Sequence, residues 1–398
     1  MRLAVHNPLL SESARSLQLF DTGALIKLGM RLSGSGADGT LLRPAGLTIL
    51  IGWVPLFVLT LVQHALGNEA GARSFLSDVA VSARSLIAAP LLVIAMQTCL
   101  PRLTEIARTF RDSGILATRD LGRFDYACAS TLRLSNFLAV DIIIVALVYA
   151  IVFQAVLLVP TSALPPWYAA PPGFGRFSLV AWWYAIVSLP VLLALIFEWI
   201  WRVVIWARFL YLVSLMDLRL VPAHPDRTAG LKFVGYSAQA FAPVALAFGF
   251  IVAGWAANQI LYRGAQIQSL QYSVIGLVAF VLLLFAGPLS VFFPHLLRAW
   301  RQGIFEYGSL AAELGRRFES KWFRRDQPVD MSALEAPDFS ATTDLYQIAS
   351  NVYEVRLFPT GLTSLGILVA MTVAPFGAIA AMFVPMDVIV SQLVALIS

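Results

Sequence analysis

Residues 136–159 read NFLAVDIIIVALVYAIVFQAVLLV, and Asp141 is the one charged residue among these 24. An α-helix rises about 1.5 Å per residue, so a helix of this length exceeds the roughly 30 Å hydrocarbon core of a bilayer. Apolar runs this long are typical of transmembrane helices. The stretch therefore predicts a membrane protein.

Composition places the whole chain in the same class. Of its 398 residues, 59% are hydrophobic and 13% are charged, and the mean hydropathy is +0.77. A soluble domain carries about 25% charged residues because its surface must be wetted. These values exclude a DNA-binding protein, a cytosolic enzyme and a secreted disulfide scaffold.

Apolar runs elsewhere in the chain predict an all-α, polytopic protein with seven transmembrane helices. The second span is the shortest, because Pro101 and Arg102 close it. The predicted spans are 45–66, 85–101, 136–159, 179–201, 241–261, 272–294 and 361–384.

The basic residues alternate between the two sides of the membrane. Lysine and arginine number 24 in the segments on the N-terminal side and four on the other side: Arg73, Arg84, Arg176 and Arg263. Cytoplasmic loops carry the excess of basic residues, so the N-terminus is predicted inside and the C-terminus outside. Cys99 and Cys128 then lie on the reducing side, and no structural disulfide is expected.

The net charge of +5 sits in the loops, which does not indicate a nucleic-acid-binding face. The 25 arginines against three lysines are typical of a GC-rich genome. This bias favours a bacterial inner (plasma) membrane. The expected partners are the lipid bilayer and a second copy of the chain, with no nucleic acid.

Four regions follow from these boundaries. Residues 1–44 form a cytosolic segment in which Ser16 to Leu32 has the spacing of an interfacial amphipathic helix, with a partly ordered tail as the alternative. Residues 45–297 hold spans one to six, and 298–358 form a cytosolic helical extension. Residues 359–398 hold the seventh span and a periplasmic tail.

Prolines mark the outer loop 160–178 and the spans themselves. The loop is predicted to be a stiff, extended cap that either joins two helices, the favoured alternative, or covers a cavity. Proline inside a helix frees a backbone carbonyl, which must find another donor in a membrane. The prolines concerned are Pro55, Pro90, Pro190, Pro243, Pro288 and Pro375.

A heptad-like stripe follows the sixth span, with steps of three or four residues from Trp300 to Trp322. It predicts that the sixth span continues as one helix to about Trp322. A further short helix is expected from Asp344 to Val355. Two partners are open for the stripe: the 102–125 segment of the same chain, through Leu103, Ile106, Phe110 and Leu116, or a second copy.

Ionisable residues near the inner ends of the spans are the candidate functional residues, because a charge inside hydrocarbon costs several kcal/mol. Asp141 lies about 8 Å into the third span at 1.5 Å per residue. Arg202 follows Glu198 by one helical turn, and His295 follows Pro294. A simple interface ion pair is favoured for Glu198 and Arg202. For Asp141, lining a polar cavity and pairing with a neighbouring helix are equally expected. The expected polar layer is Asp141, Glu198, Arg202, His295 and Arg298.

Small residues recur every four positions in two spans, which lets helix backbones approach closely. Packing within one bundle is favoured, and subunit contact or a pore lining are the alternatives. The fifth span carries Ala245, Gly249, Ala253 and Ala257, and the seventh carries Gly366, Ala370, Ala374 and Ala378.

The loop between the fourth and fifth spans reads His224, Pro225, Asp226, Arg227, Thr228, Ala229, Gly230, Leu231. Pro225 is predicted to start a turn, Asp226 to cap it and Gly230 to end it. This loop and the stretch Tyr353-Glu354-Val355-Arg356 resemble an uncharacterised bacterial family of multi-pass membrane proteins with a pattern similar to His-Pro-Asp-x-x-Gly-Gly-Leu. Ala229 stands where that pattern has its first glycine. The resemblance implies no activity.

The sequence lacks the motifs that mark several classes of enzyme and metal-binding protein. The sequence has no Walker A loop, no His-Glu-x-x-His helix, no Gly-x-Ser-x-Gly elbow and no Cys/His ligand cluster, so no metal, no cofactor and no enzyme activity are predicted. The leading hypothesis is a passive or proton-coupled path for an ion or small solute. The alternative is a membrane scaffold or sensor that signals through its cytosolic helices. An intramembrane enzyme acting on a lipid substrate is the third and weakest hypothesis.

Overall fold

The computed structural model describes residues 19–20, 41–65, 69–160, 164–170, 176–323 and 337–383. Over these ranges the protein is all-α, and seven helices are long and apolar enough to cross a membrane. The predicted fold class and the number of spans are confirmed. The chain is a multi-pass membrane protein.

In chain order the described helices are α1 (Leu42–Gly52), α2 (Val54–Ala65), α3 (Glu69–Leu76), α4 (Val79–Asp112), α5 (Leu121–Ser135), α6 (Leu138–Leu158), α7 (Leu179–Ser214), α8 (Lys232–Arg263), α9 (Ile267–Ala286), α10 (Phe293–Trp322), α11 (Pro337–Tyr353) and α12 (Leu362–Phe383). The first span consists of α1 and α2. The second to fifth spans are α4, α6, α7 and α8, the sixth begins with α9 and the seventh is α12.

Connections after the odd-numbered spans meet at one end of the bundle, which we call the outer end. There the Tyr262 hydroxyl donates to the Ser77 carbonyl at 2.6 Å, and the Trp167 indole donates to Asp78. At the other end, the inner end, Arg119 pairs with Asp217 at 2.6 Å. The spans therefore alternate in direction, as the distribution of basic residues requires.

Three spans are longer than expected, and the fifth is one of them because it begins at Lys232 and not at residue 241. The second continues through Pro101 to Asp112, and the fourth continues past residue 201 to Ser214. Hydropathy identifies only the part of a helix that lies in hydrocarbon, whereas these helices extend beyond it. Proline inside a helix removes one hydrogen bond, which α4 accommodates without ending.

The fourth span packs against the first three spans and α5. Its tryptophans donate to backbone carbonyls of neighbouring helices: Trp199 to Leu92 of the second span at 2.9 Å, and Trp201 to Leu134 of α5 at 3.4 Å. Towards the inner end it is packed with buried aromatic rings, including Trp206 and Phe209, which stack 5.4 Å apart. These contacts fix the position of the fourth span against the second span and α5.

The first span breaks at Trp53, between α1 and α2, because Pro55 cannot donate to the carbonyl four residues earlier. That carbonyl, on Ile51, accepts instead from the indole of Trp183 at 3.1 Å. The next carbonyl, on Gly52, accepts from the Ser188 hydroxyl at 2.6 Å. The predicted donors for a freed carbonyl are therefore present, and both come from the fourth span.

Pro190 in the fourth span also leaves a carbonyl without its helical donor, and a side chain of a neighbouring span replaces that donor. The carbonyl of Ile186, four residues earlier, accepts from the Tyr149 hydroxyl of the third span at 3.1 Å. The helix also widens into a π-helical turn at Tyr184–Ser188. An equivalent turn, Ala83–Ala88, precedes Pro90 in the second span.

The small residues of the fifth span are buried within the bundle, as favoured. A Cβ atom on Gly249 would collide with the Thr372 carbonyl and the Pro375 ring of the seventh span, so the two backbones are in close contact there. The stripe of the seventh span does not share this interface. Its four small residues, Gly366, Ala370, Ala374 and Ala378, lie on the exposed side of α12. Packing within the bundle was therefore the wrong expectation for the seventh span.

The helical extension at the inner end runs without a break to Trp322, as predicted, but a 3-10 turn at Gly287–Phe292 separates it from the α-helix of the sixth span. Its partner is α11, not the 102–125 segment: Gly303 lies against Val352 and Gly315 against Tyr346. Leu103, Ile106 and Phe110 are instead buried in the bundle core, because the second span carries them inward to pack there. The heptad stripe is half-buried, and α11 of the same chain packs against this helix.

Two expectations concern segments outside the described residues. The predicted amphipathic helix at 16–32 is described only at Leu19 and Phe20, where the Phe20 ring lies 6.4 Å from that of Trp206. The tail after residue 383 is not described.

Candidate functional site

A buried ion pair lies within the fourth span. The Arg202 guanidinium donates to Glu198 Oε2 at 3.0 Å, one helical turn away, and their side chains are 5% and 3% exposed. The Arg202 guanidinium also lies 5.7 Å from the centre of the Trp199 ring, within cation–π range. The pair predicted from the sequence is therefore present, but in the bundle interior and not at an exposed interface.

The second carboxylate oxygen of Glu198, Oε1, is buried and has no hydrogen-bond partner in the described part of the chain. A buried charged group that lacks part of its hydrogen bonds costs several kcal/mol of folding free energy, because the protein interior cannot replace the lost hydration. Most buried polar atoms are satisfied, so an exception requires an explanation. Glu198 is the strongest candidate for a functional group in this layer.

Asp141 joins this site from the third span. It lies in the first turn of α6 and is near enough to Glu198 to interact with it electrostatically. Because α6 starts at Leu138, Asp141 is about 5 Å from the helix start and not the expected 8 Å. The positive end of the helix dipole favours a carboxylate at this position.

The second span contributes Cys99 and Arg102. The Cys99 thiol donates to the Ala240 carbonyl of the fifth span at 2.8 Å, and both Arg102 and Arg202 are within electrostatic range of it. Three spans thus bring charged groups to one level near the inner end. We call Asp141, Glu198 and Arg202, with Arg102 beside them, the inner polar site.

His295 and Arg298 do not belong to this site, contrary to the sequence-based expectation. The His295 ring faces backbone groups of Val291 and Ser214, and Arg298 donates to the Pro294 carbonyl of its own helix. Ser214 is 12 positions beyond Arg202, which is about 18 Å along the helix. Because the fourth span continues this far, His295 meets it well beyond the level of Glu198. The polar layer expected from the sequence therefore does not extend to His295 and Arg298.

A second polar cluster lies at the outer end. Asp78 caps the second span by accepting from the Val81 amide at 3.0 Å. Its carboxylate also accepts from the Trp167 indole at 2.9 Å and from the Asn258 amide at 2.8 Å. Asp78 therefore joins the second span, the outer loop and the fifth span. Buried Trp167 shows that the described part of the proline-rich loop packs onto the bundle as a cap.

Arg84 lies next to this cluster. The sequence suggested that it belongs to an outer loop, but it lies in the π-helical turn of the second span and donates to the Tyr184 hydroxyl at 3.2 Å. Tyr184 begins the matching turn of the fourth span. Each residue stands six positions before a proline, at Pro90 and Pro190, a shared spacing that could have suggested the contact. π-Helical turns occur often at functional sites.

The His-Pro-Asp loop has a structural role, as the turn prediction states. Asp226 accepts from the backbone amides of Thr228, Gly230 and Lys232 at 2.8, 3.1 and 3.1 Å. Burial opposes ionisation of this carboxyl, but the three amides outweigh it and hold the pKa of Asp226 below its ordinary value. Ala229, at the position of a glycine in the similar pattern, has φ = 52°, a left-handed conformation that suits glycine.

The two patches that carry the resemblance contact each other. Arg227 pairs with Glu354 at 2.9 Å, and the Arg356 amide donates to the Arg227 carbonyl at 2.7 Å. The loop between the fourth and fifth spans is thereby joined to the chain entering the seventh span. This contact gives both sequence patches a structural role.

Among the described residues, no group of three or more His, Cys, Asp and Glu side chains is arranged to hold a metal ion. Comparisons with protein-family models, with curated proteins and with solved structures each gave no match to this chain. Function must therefore be inferred from the two polar clusters and their surroundings.

Proposed function

We propose that this chain is a bacterial inner-membrane protein that forms a passive or proton-coupled path for an ion or small solute. The supporting observation is the Glu198 carboxylate, buried in the bundle with one oxygen lacking a hydrogen-bond partner in the described chain. Ionisable residues inside membrane spans commonly mark ion pathways and proton relays, because they are too costly to keep without a function. Arg202 holds the carboxylate in place, and Asp141 supplies a second acidic group.

The outer cluster extends this proposal across the membrane. Tyr184 and Glu198 stand on the same helix, 14 positions or about 21 Å apart. Buried Leu192 and Leu195 lie between them, so a path along the fourth span opens only when the packing around these two side chains loosens. The π-helical turns before Pro90 and Pro190 provide points at which those helices can bend.

The proposal is tested with Asp141→Asn in purified protein reconstituted into vesicles that contain a pH-sensitive dye. If Asp141 lines the path, the variant changes the rate of proton flux or its dependence on pH, while the unfolding transition stays close to that of the wild type. If Asp141 only stabilises the bundle, the variant unfolds more easily and the flux is unchanged. The second result would contradict its place in the path.

A scaffold or sensor is the second candidate, favoured by apolar side chains on the inner helical pair. After α10 and α11 pack together, Phe305 and Leu310 remain 77% and 54% exposed. The junction between Arg227 and Glu354 connects this pair to two spans. In the vesicle assay a scaffold gives no more proton flux than vesicles without protein, whereas a proton-conducting or proton-coupled path gives more.

A further inference from the structure

An apolar groove lies between the outer halves of the third and fourth spans. Its volume is about 110 Å³, and small side chains on both walls create it: Ala155 on the third span, and Ala181 and Ala185 on the fourth. Leu164 and Phe177 of the outer loop line its outer end. Tyr184, which accepts from Arg84, also lines the groove, but the residues named above belong to neither polar cluster.

One wall of the groove belongs to the third span, which is the least buried of the seven described spans. Only 17% of its central part is buried inside the protein, so in a membrane most of its surface is accessible to lipid. The Tyr149 hydroxyl donates to the Ile186 carbonyl, so the two spans are in contact one turn inward of Val152 on the third span and level with the lining of the fourth. The groove lies beside this contact and extends from it toward the outer end.

Apolar side chains keep such a space dry and suited to hydrocarbon. An aliphatic cavity of about 150 Å³ in a soluble protein excludes water and binds benzene. Here the hydrocarbon at hand is the acyl chain of a membrane lipid. Moving that chain from the bilayer into the groove gains little from the hydrophobic effect, because both surroundings are apolar. Retention of one lipid therefore requires a polar contact as well.

Arg176 supplies this contact at the outer end of the groove. Its guanidinium donates to the Val159 carbonyl at 2.9 Å and lies 4.9 Å from the centre of the Phe177 ring. Val159 and Phe177 both line the groove. The hydrogen bond to Val159 uses one of five N–H groups, and guanidinium binds phosphate oxygens well. A fixed cation thus stands beside an apolar slot, which is the polarity of an anionic phospholipid.

We propose that this groove binds an anionic phospholipid of the outer leaflet, with an acyl chain between the third and fourth spans and its phosphate at Arg176. The proposal does not depend on a transport function. A neutral or zwitterionic lipid with the same chains should be held less well. Specificity then depends on Arg176, and the fit of the chain depends on Ala155 and Ala185.

Native mass spectrometry of the purified protein tests the proposal. The probe is an equal mixture of dioleoyl phosphatidylglycerol and dioleoyl phosphatidylcholine, which share acyl chains and differ in headgroup charge. The wild type should retain phosphatidylglycerol at least tenfold better. Arg176→Gln should remove this preference, whereas Arg73→Gln, a change of another outer-side arginine, should keep it.

Two variants that fill the groove test the position of the acyl chain. Ala155→Phe should lower retention of both lipids, and Ala185→Leu should do the same from the opposite wall. Ala150→Phe adds the same bulk to the third span outside the groove lining and should retain lipid like the wild type. Equal retention by Ala155→Phe and the wild type, equal loss in Ala150→Phe, or a lipid-free dimer seated on the groove would each overturn the proposal.

Discussion

Replacing Asp226 by asparagine should destabilise the inner end of the bundle measurably. The carboxylate accepts from three backbone amides, two at Oδ1 and one at Oδ2. Asparagine keeps one accepting oxygen and places an NH₂ group where the other was, so the Lys232 amide loses its acceptor and the other two bonds lose their charge. Hydrogen bonds to charged groups contribute about 1.5–3 kcal/mol each, and neutral ones about 1 kcal/mol. At the lower end of the charged range the three bonds contribute about 4.5 kcal/mol, and the two that asparagine keeps contribute about 2 kcal/mol, so the expected loss is at least about 2.5 kcal/mol.

The effect should also depend on pH. Because the pKa of Asp226 is lowered in the folded protein, its contribution is fully present above the unfolded pKa of about 3.9 and is lost as the pH falls through the folded value. The difference between wild type and Asp226→Asn should therefore be largest near neutrality and shrink below about pH 4.

The measurement is the free energy of unfolding in detergent micelles, taken at neutral and acid pH. Asp217→Asn is the matched control, because Asp217 is half exposed and forms an ion pair of the surface type, worth about 0–1 kcal/mol. A deficit in Asp226→Asn no larger than in Asp217→Asn, or one that is equal at both pH values, would refute the reasoning.

Two further substitutions test the packing of the spans and of the inner helical pair. Tyr149→Phe should cost about 1 kcal/mol of unfolding free energy, because the Ile186 carbonyl freed by Pro190 loses its donor, whereas Tyr272→Phe at an exposed position should cost nothing measurable. Gly303→Ala should loosen α10, since its Cβ would lie 2.6 Å from Pro222 Cβ; we expect a cost of roughly 1–3 kcal/mol and faster limited proteolysis of α10 and α11. Gly276→Ala, which meets no atom within 4 Å, is the control, and equal proteolysis of the two variants would contradict this account.

Local patterns predicted local structure well. The continuous apolar run at 136–159 predicted the third span, observed at Leu138–Leu158, and the heptad-like stripe predicted a helix end at Trp322. Prolines in the spans predicted freed carbonyls. These features depend on residues within a few turns of each other, so one sequence is enough to recognise them.

Contacts between distant segments could not be predicted in the same way. Hydropathy did not show that the fourth span continues to Ser214, since Arg202 and Arg208 lower the apolar content of its inner part. His295 contacts the end of this extension, at Ser214, and therefore lies far from Glu198. The cluster around Asp78 joins residues 89 and 180 positions away, and the sequence carries no periodic signal for such contacts. The donors to freed carbonyls, such as Tyr149, were unpredictable for the same reason.

Proton flux through Glu198 tests the central claim most directly. Wild type, Glu198→Gln and Glu105→Gln are reconstituted into vesicles with an internal pH dye, and flux is driven by a potassium diffusion potential. Glu105 is an exposed glutamate of the second span and serves as the matched control. The account predicts that wild type and Glu105→Gln pass protons faster than vesicles without protein, and that Glu198→Gln is slower by at least tenfold. Wild-type flux no higher than in empty vesicles, or equal flux in Glu198→Gln and wild type, would contradict it.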